Sequence, residues 1–477
     1  MTSLFESWLQ ECEVSAITLE NPYFPTARSL LTVSKPTDIT LGTGHSVTSS
    51  ICDAVLNTCQ HELILVTCFW AKSISLDSLS KSLRALSAKA LAQGSKIRVR
   101  LCFSSLSLFQ KLFHTQSPAG RTWRPPEWMS KLGLPPPEQL GGLELSVKSI
   151  FMLPVSVMHS KFVIIDRKEA ILPSCNVSWE PWFEGAVKLE GAIVNDCFVR
   201  FFEGFWCQGD RRDSGDSPAL SADDRDLEAG DVDAETSPHA QSAGISSSNP
   251  STLLPAHFPL PSAEIPTLFL PSPYHRNPHF RPFPFQTAPD PPMTPLNNFL
   301  LHLFASATSS IFFQTPNITS PPVLAAVISA LERGVSVTIV TNERLMLVEQ
   351  LITAGTTTAS CVGRLIQSHR RMCGERHESQ GLSQHVDGHP PGRLSISYFA
   401  VMPRQEEDKD LTPVSSHLKM TVVDDDVLVL GSGNMDRASW YTSQDLGVAF
   451  ASREMASVML EQVRQVDDHY CKVVYTG

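Results

Sequence analysis

The chain has 477 residues, 42% apolar and 18% charged, which is enough to bury at least two sizeable cores and too apolar for a disordered protein. Its net charge of −11 is concentrated: residues 208–235 hold ten acids and three arginines, leaving −4 for everything else. The remainder has no dense basic run, so the balance counts against a polynucleotide ligand.

The N-terminus, MTSLFESWLQECEVS, carries Glu6, Glu11 and Glu13, and reads as neither an apolar secretory leader nor a basic transit peptide. No stretch approaches eighteen uncharged apolar residues, the length of a membrane span. Eleven cysteines, an odd number without a CxxC pair, read as reduced thiols. The expectation is an intracellular protein, cytoplasmic or peripherally associated with a membrane. Residues 1–39 are assigned to an N-terminal extension.

The first globular half spans 40–207. The spacing predicts a helix over 46–60, a buried strand over 61–70, a helix over 76–94 ended by Gly94, and a strand over 95–103. Residues 208–293 form an acidic, then Pro-rich linker. Its acidic part is expected to be disordered. Its later part, with fourteen prolines between 250 and 295, reads as extended and irregular. Phe258, Leu268, Phe269, Phe280, Phe283 and Phe285 give that stretch a means of lying across the folded halves. The second half spans 294–477 and repeats the order: helix 294–308, strand 309–315, helix 321–334 ended by Gly334, strand 335–341. Residues 367–392, polar and Gly-containing, read as an inserted loop. The alternation predicts an α/β layer structure, duplicated once.

One polar constellation occurs in both halves. HSKFVIIDRKEAILPSCN begins at His159, and HLKMTVVDDDVLVLGSGN at His417. His159, Lys161, Asp166, Ser174 and Asn176 match His417, Lys419, Asp424, Ser432 and Asn434 offset for offset. At about one in twenty per position, one copy arises by chance in roughly one in ten thousand chains this long. His and Lys at even offsets share one face of a strand. The following polar turn and second apolar run make each copy a β-hairpin. Asp166 and Asp424, at odd offsets, face the other way and fit a structural role.

Histidine serves as nucleophile when neutral and as acid when protonated. Lysine supplies positive charge, and Asn and Ser supply donors, for a phosphoryl group whose charge grows in the transition state. Displacement at phosphorus needs an attacker on one side and a proton donor on the other, so two facing hairpins provide what one lacks. A neutral histidine nucleophile also needs its second ring nitrogen held by an acceptor. For His417 that acceptor is expected to be Asp445, at +28. For His159 the reading prefers Glu190, at +31, over Glu184, at +25, because Glu190 and Asp445 each open an apolar strand-like run.

The doubled HxKxxxxD, with GSGNMDRAS in the second half, closely resembles the phospholipase D superfamily, which includes phospholipases, cardiolipin and phosphatidylserine synthases, and some nucleases. The resemblance covers roughly 40–207 and 294–475 and leaves the linker and 367–392 unmatched. It implies two tandem α/β/α sandwich halves in pseudo-twofold arrangement. It implies a phosphohistidine intermediate, with His159 as nucleophile and His417 as acid, then base. It further implies that Lys161, Lys419, Asn176 and Asn434 hold the phosphate. This chain departs from the pattern at Pro173, where Gly431 stands in the second copy, and at Asp445, where Glu is usual. The acid after the first motif is also displaced by three residues.

The expected function is phosphodiester cleavage or exchange on phospholipids by a monomer, with water or an alcohol as acceptor. A nuclease of the same superfamily and a catalytically silent lipid-binding scaffold are the alternatives. No metal or cofactor is expected. Cys373, His377, His385 and His389 match no familiar zinc spacing. Trp179, Trp182 and Phe183 offer an apolar wall for acyl chains or a base-stacking platform but read rather as ordinary core, as do Trp440 and Tyr441, and Cys175 reads as a small residue filling a turn.

Overall fold

A computed structural model describes residues 3–14, 18–208, 256–260, 263–277, 289–380, 390–400 and 412–477. Through it runs one mixed sheet, 17-stranded among these residues, with helices against it. In the first half, Glu62–Phe69, Ile97–Ser105 and Leu143–Ser149 pair in parallel. An antiparallel hairpin, Phe162–Ile165 with Glu169–Pro173, joins them and passes to Phe183–Glu190. The second half has the same topology. Ser310–Gln314, Ser336–Thr341 and Leu394–Phe399 pair in parallel. The hairpin Met420–Val423 with Val427–Gly431 then leads to Asp445–Ala451. The tandem α/β reading holds.

The predicted helices and strands form within a few residues of their expected bounds. Helix Ile74–Ala92 starts where Ser73 Oγ accepts the Leu76 N–H at 3.2 Å. Its apolar stripe, Leu76, Leu79, Leu83, Leu86 and Ala90, is buried. Both hairpins turn through two consecutive left-handed residues, Asp166 and Arg167 in one, Asp424 and Asp425 in the other. That is the type I′ geometry, whose twist matches the flanking strands, and Asp tolerates it better than most residues.

Four expectations need correction. Residues 1–39 are not an appendage. Leu31–Thr43 is a strand paired with Phe183–Glu190, and helix Ser3–Val14 docks Phe5 and Trp8 edge-on against Phe299 of the second half. The Pro-rich stretch is not wholly irregular either. Ile265–Ser272 is a strand that pairs with Leu31–Ser34 on one side and with Asp445–Phe450 on the other. Leu268, Phe269 and Leu270 are fully buried, each contributing on the order of 1.5–3 kcal/mol of burial, which outweighs the prolines. The expected loop at 367–392 is helical as far as Gln380, within Thr358–Gln380. Gln367, Arg370 and Arg371 are exposed on it, while His369 anchors it to Tyr475 Oη and Gly392 O, both at 2.9 Å. The fourth concerns the motif: its His and Lys precede the strands Phe162–Ile165 and Met420–Val423 rather than lying within them.

Residues 209–255, with nearly all of the acidic run, and 278–288, with Phe280, Phe283 and Phe285, lie outside the described residues. His385 and His389 do as well. No described helix is long and apolar enough to cross a membrane. No disulfide joins the eleven cysteines.

Candidate active site

The strand Ile265–Ser272 joins the two sheets edge to edge, and this brings the motif ends together. The residues leading into each hairpin lie beside the strand entrance of the opposite half. His159 N donates to Gln444 O at 2.7 Å, and Gln444 N to Val157 O at 2.8 Å. Reciprocally, Phe183 N donates to Ser415 O at 2.8 Å, and His417 N to Phe183 O at 2.9 Å. Each exchange is a short parallel bridge, and together they have a twofold logic.

The two imidazoles face one another, with ring centres 6.4 Å apart and planes at 87°. Each is held by a carboxylate of the other half. His159 Nδ1–H donates to Asp445 Oδ1 at 2.8 Å. His417 Nδ1 meets Glu184 Oε1 at 2.7 Å. This corrects the expected pairing of Glu190 with His159 and Asp445 with His417. Glu190 lies six residues beyond Glu184 on the same strand, about 20 Å away at ~3.3 Å per residue, and pairs with Lys35 at 3.5 Å. Sheet register identifies Glu184 as the partner of Asp445 in the duplication. Ala186 pairs with Pro173 as Gly447 pairs with Gly431, and each acid stands two residues earlier.

The motif serines do not face a phosphate. Ser174 Oγ donates to Glu184 Oε2 and accepts the Gly185 N–H at 2.9 Å. Ser432 Oγ donates to Asp445 Oδ1 at 2.6 Å and accepts the Leu446 N–H at 3.0 Å. Both hydroxyls are buried at the strand ends and spent on orienting the acids. Asn176 Oδ1 accepts the Phe69 N–H at 3.2 Å, which leaves its NH2 without a partner among the described residues. Asn434 Nδ2 gives one hydrogen to Asp436 Oδ2 at 3.0 Å and keeps another.

Lys161 and Lys419 are buried, and each Nζ donates to the carbonyl of its own motif histidine, at 2.9 and 2.6 Å. Lys419 Nζ also stands 2.7 Å from His417 Nδ1, a contact with no counterpart among the described bonds of the first half. Burial depresses both imidazoles, and the Lys161 and Lys419 ammoniums add to it against the pull of the acids. His159 falls to about 4 and His417 to about 3. Burial also lowers Lys419 to about 7, opposed by Glu184. Burial pushes Glu184 up, but His417, Lys419 and Ser174 outweigh it and keep its carboxyl below the usual range. At neutral pH both imidazoles are therefore neutral, and the Glu184 carboxylate beside His417 is ionised.

Asp166 and Asp424 turn away from this cluster, as their odd offsets suggest. Asp166 accepts the N–H groups of Gln60, His61 and Glu62 at 2.7–2.8 Å. Asp424 accepts those of Thr308, Ser309 and Ser310 at 2.8–2.9 Å, and both neighbouring hydroxyls. Each carboxylate ties its hairpin turn to the start of a central strand. Trp182 packs its ring 4.8 Å from that of His417 and so walls the crevice, where the sequence reading had it as ordinary core. Phe183 is core, stacked on Phe399, while Trp179 is 63% exposed. Burial raises the Cys175 thiol to about 12, in keeping with a filler.

Comparison with known proteins follows this geometry. Residues 300–466 match the family model described as "Cardiolipin synthase, PLD-like domain". Comparison with curated proteins returned no match. Among solved structures, phosphatidylserine synthase of Haemophilus influenzae Rd KW20 is similar at 14% identity and TM-score 0.49, over 92% of this chain and 89% of that one. Nuc, a phospholipase D family member of Salmonella typhimurium, is similar at 18% identity and TM-score 0.25, over 37% and 89%. Polyphosphate kinase of Porphyromonas gingivalis is similar at 9% identity and TM-score 0.45, over 92% and 48%.

Proposed function

With a phospholipase D-like domain as the premise, we propose that this chain cleaves or exchanges phospholipid phosphodiesters through a phosphohistidine on His159. The observation that carries the reading is the pair of imidazoles 6.4 Å apart, each with Nδ1 on a carboxylate of the opposite half. A ring separation of 6.4 Å lets both imidazoles reach one phosphoryl group bound between them.

His159 is the better nucleophile. Its Nδ1–H is committed to Asp445, which leaves the lone pair on Nε2. It is also the more accessible ring, with a side chain 13% exposed against 3% for His417. Nε2 of His159 forms the N–P bond as the P–O bond to the leaving alcohol breaks. His417 Nε2–H gives its proton to that oxygen. An entering water or alcohol then attacks phosphorus, the N–P bond breaks, and His417 takes the proton. For the first step His417 must be protonated, yet burial keeps it neutral at pH 7. The anionic substrate answers this: its charge offsets Lys161 and Lys419 and favours the imidazolium, so a proton is taken up with the substrate. The lysines and the Asn176 and Asn434 amides stabilise the charge that develops on the phosphoryl oxygens.

The test offers purified protein labelled phospholipids, with and without a primary alcohol, and single-stranded DNA, alongside His159→Ala and His417→Ala. Phosphatidylalcohol or phosphatidate formation, lost in both variants, supports the reading. DNA breakdown lost in both would make the chain a nuclease, and no turnover of any diester would make it a silent scaffold.

A further inference from the structure

A cavity of about 750 Å3 lies in the second half, apart from the paired histidines. That volume is in the roughly 300–1,000 Å3 range of small-molecule sites. Helix Pro321–Glu332 presents Leu324, Ala325 and Ile328 to it at helical spacing, and Leu365 faces them from Thr358–Gln380. The corresponding stripe of the first half is polar. Counted from the equivalent caps Ser73 and Ser320, the counterparts of Leu324, Ala325 and Ile328 are Asp77, Ser78 and Lys81. The duplication thus has a solvated face in one copy and an apolar hollow in the other.

Two arginines line the hollow. Arg364 lines it, held by its Nη2 donating to Thr356 Oγ1 at 3.4 Å and to Cys361 Sγ at 3.0 Å. No carboxylate of a described residue pairs with that guanidinium. Arg437 lies over the Tyr441 ring at 4.3 Å and donates to Thr353 O at 3.1 Å and Asn277 O at 3.3 Å. Asp290 adds negative charge near Tyr441, so an anionic head belongs on Arg364 rather than beside Tyr441. An apolar trough with an arginine in its wall that has no carboxylate partner among the described residues is complementary to one chemistry.

We propose that this cavity binds a single-chain anionic amphiphile, its hydrocarbon along Leu324, Ile328 and Leu365 and its acidic head on Arg364. A carboxylate and a phosphate monoester share the required chemistry. The site is separate from the reacting groups and does not depend on the reaction proposed above.

Calorimetry on the full chain tests it with dodecanoate, dodecyl phosphate and uncharged dodecanol, each below its micelle concentration. One-to-one binding of either anion supports the site, and the one that binds identifies the head group. Ile328→Trp, which fills the trough, should abolish binding at unchanged thermal midpoint. Ala325→Phe is the second filling variant, should the first fail to fold. Arg364→Gln should weaken the anions roughly tenfold and leave dodecanol unchanged. Wild-type binding in folded filling variants, equal weakening of dodecanol, or no binding of any probe to the wild type would each overturn the proposal.

Discussion

Glu184→Gln tests the crossed pairing directly. The change keeps the shape of a buried side chain and removes the charge that meets His417 Nδ1 at 2.7 Å. A charge-assisted hydrogen bond of this kind is worth about 1.5–3 kcal/mol, so losing its support of the imidazolium costs about 10- to 150-fold in rate. An amide that turns its NH2 to the ring imposes the wrong tautomer and deepens the loss. Glu190→Gln removes only a half-exposed ion pair with Lys35 and should leave the rate within a factor of two or so. The leaving group separates the steps. A p-nitrophenyl phosphodiester needs no acid to depart, so Glu184→Gln should still form the phosphohistidine and release one burst equivalent of nitrophenol. Its hydrolysis, which needs His417 as base, should then stall, with labelled phosphate trapped on His159 after rapid quench. Asp445→Asn should show neither burst nor trapped label. A burst in Asp445→Asn and none in Glu184→Gln would reverse the histidine roles. Equal impairment by Glu190→Gln would refute the pairing itself.

Acid stability follows from the same buried rings. An unfolded histidine titrates near ~6.5, whereas folded His159 and His417 fall to about 4 and about 3, so below ~6.5 the unfolded chain binds more protons. Stability present above pH ~6.5 should be lost as pH falls toward 4, read as a falling thermal midpoint. The double variant His159→Gln, His417→Gln should flatten that fall, and an unchanged slope would contradict the assignment. Asp424→Asn keeps a residue tolerant of φ near +53° but removes the charge that gathers three N–H groups and two hydroxyls. A loss of about 1–2 kcal/mol in denaturant unfolding is expected for this partly exposed site, and no change would show the cradle to be dispensable. Chelator should leave turnover unaltered, because two imidazoles and two ammoniums supply attack, protonation and charge. Activity that disappears with chelator and returns with one particular metal would contradict this.

The doubled motif and the helix–strand alternation were legible because they are local: fixed offsets along one chain, and periodicity within it. The acid partners were not. Counting from His159 to the next acid opening an apolar run leads to Glu190, since the count ignores register. The quantity that matters is the ladder position opposite Pro173 and Gly431. The three-residue displacement between the acids arises where the second copy inserts helix Arg437–Tyr441 between Asn434 and Asp445. Nor could a reading of each half by itself show that the acids cross, since that depends on how the two sheets meet. The strand that joins them was hidden by Pro266 and Pro271, although its run of Leu268, Phe269 and Leu270 was the available signal. The role of the serines is hidden for a related reason: their partners, Glu184 and Asp445, lie one strand away.

A gene that carries two copies of one unit is ordinarily free to let one decay. Here neither copy owns a complete histidine–acid couple, and both are stitched to a segment that lies between them in the chain. At Pro173 and along the outer stripe of helix Pro321–Glu332 the two copies differ without disturbing what they hold in common.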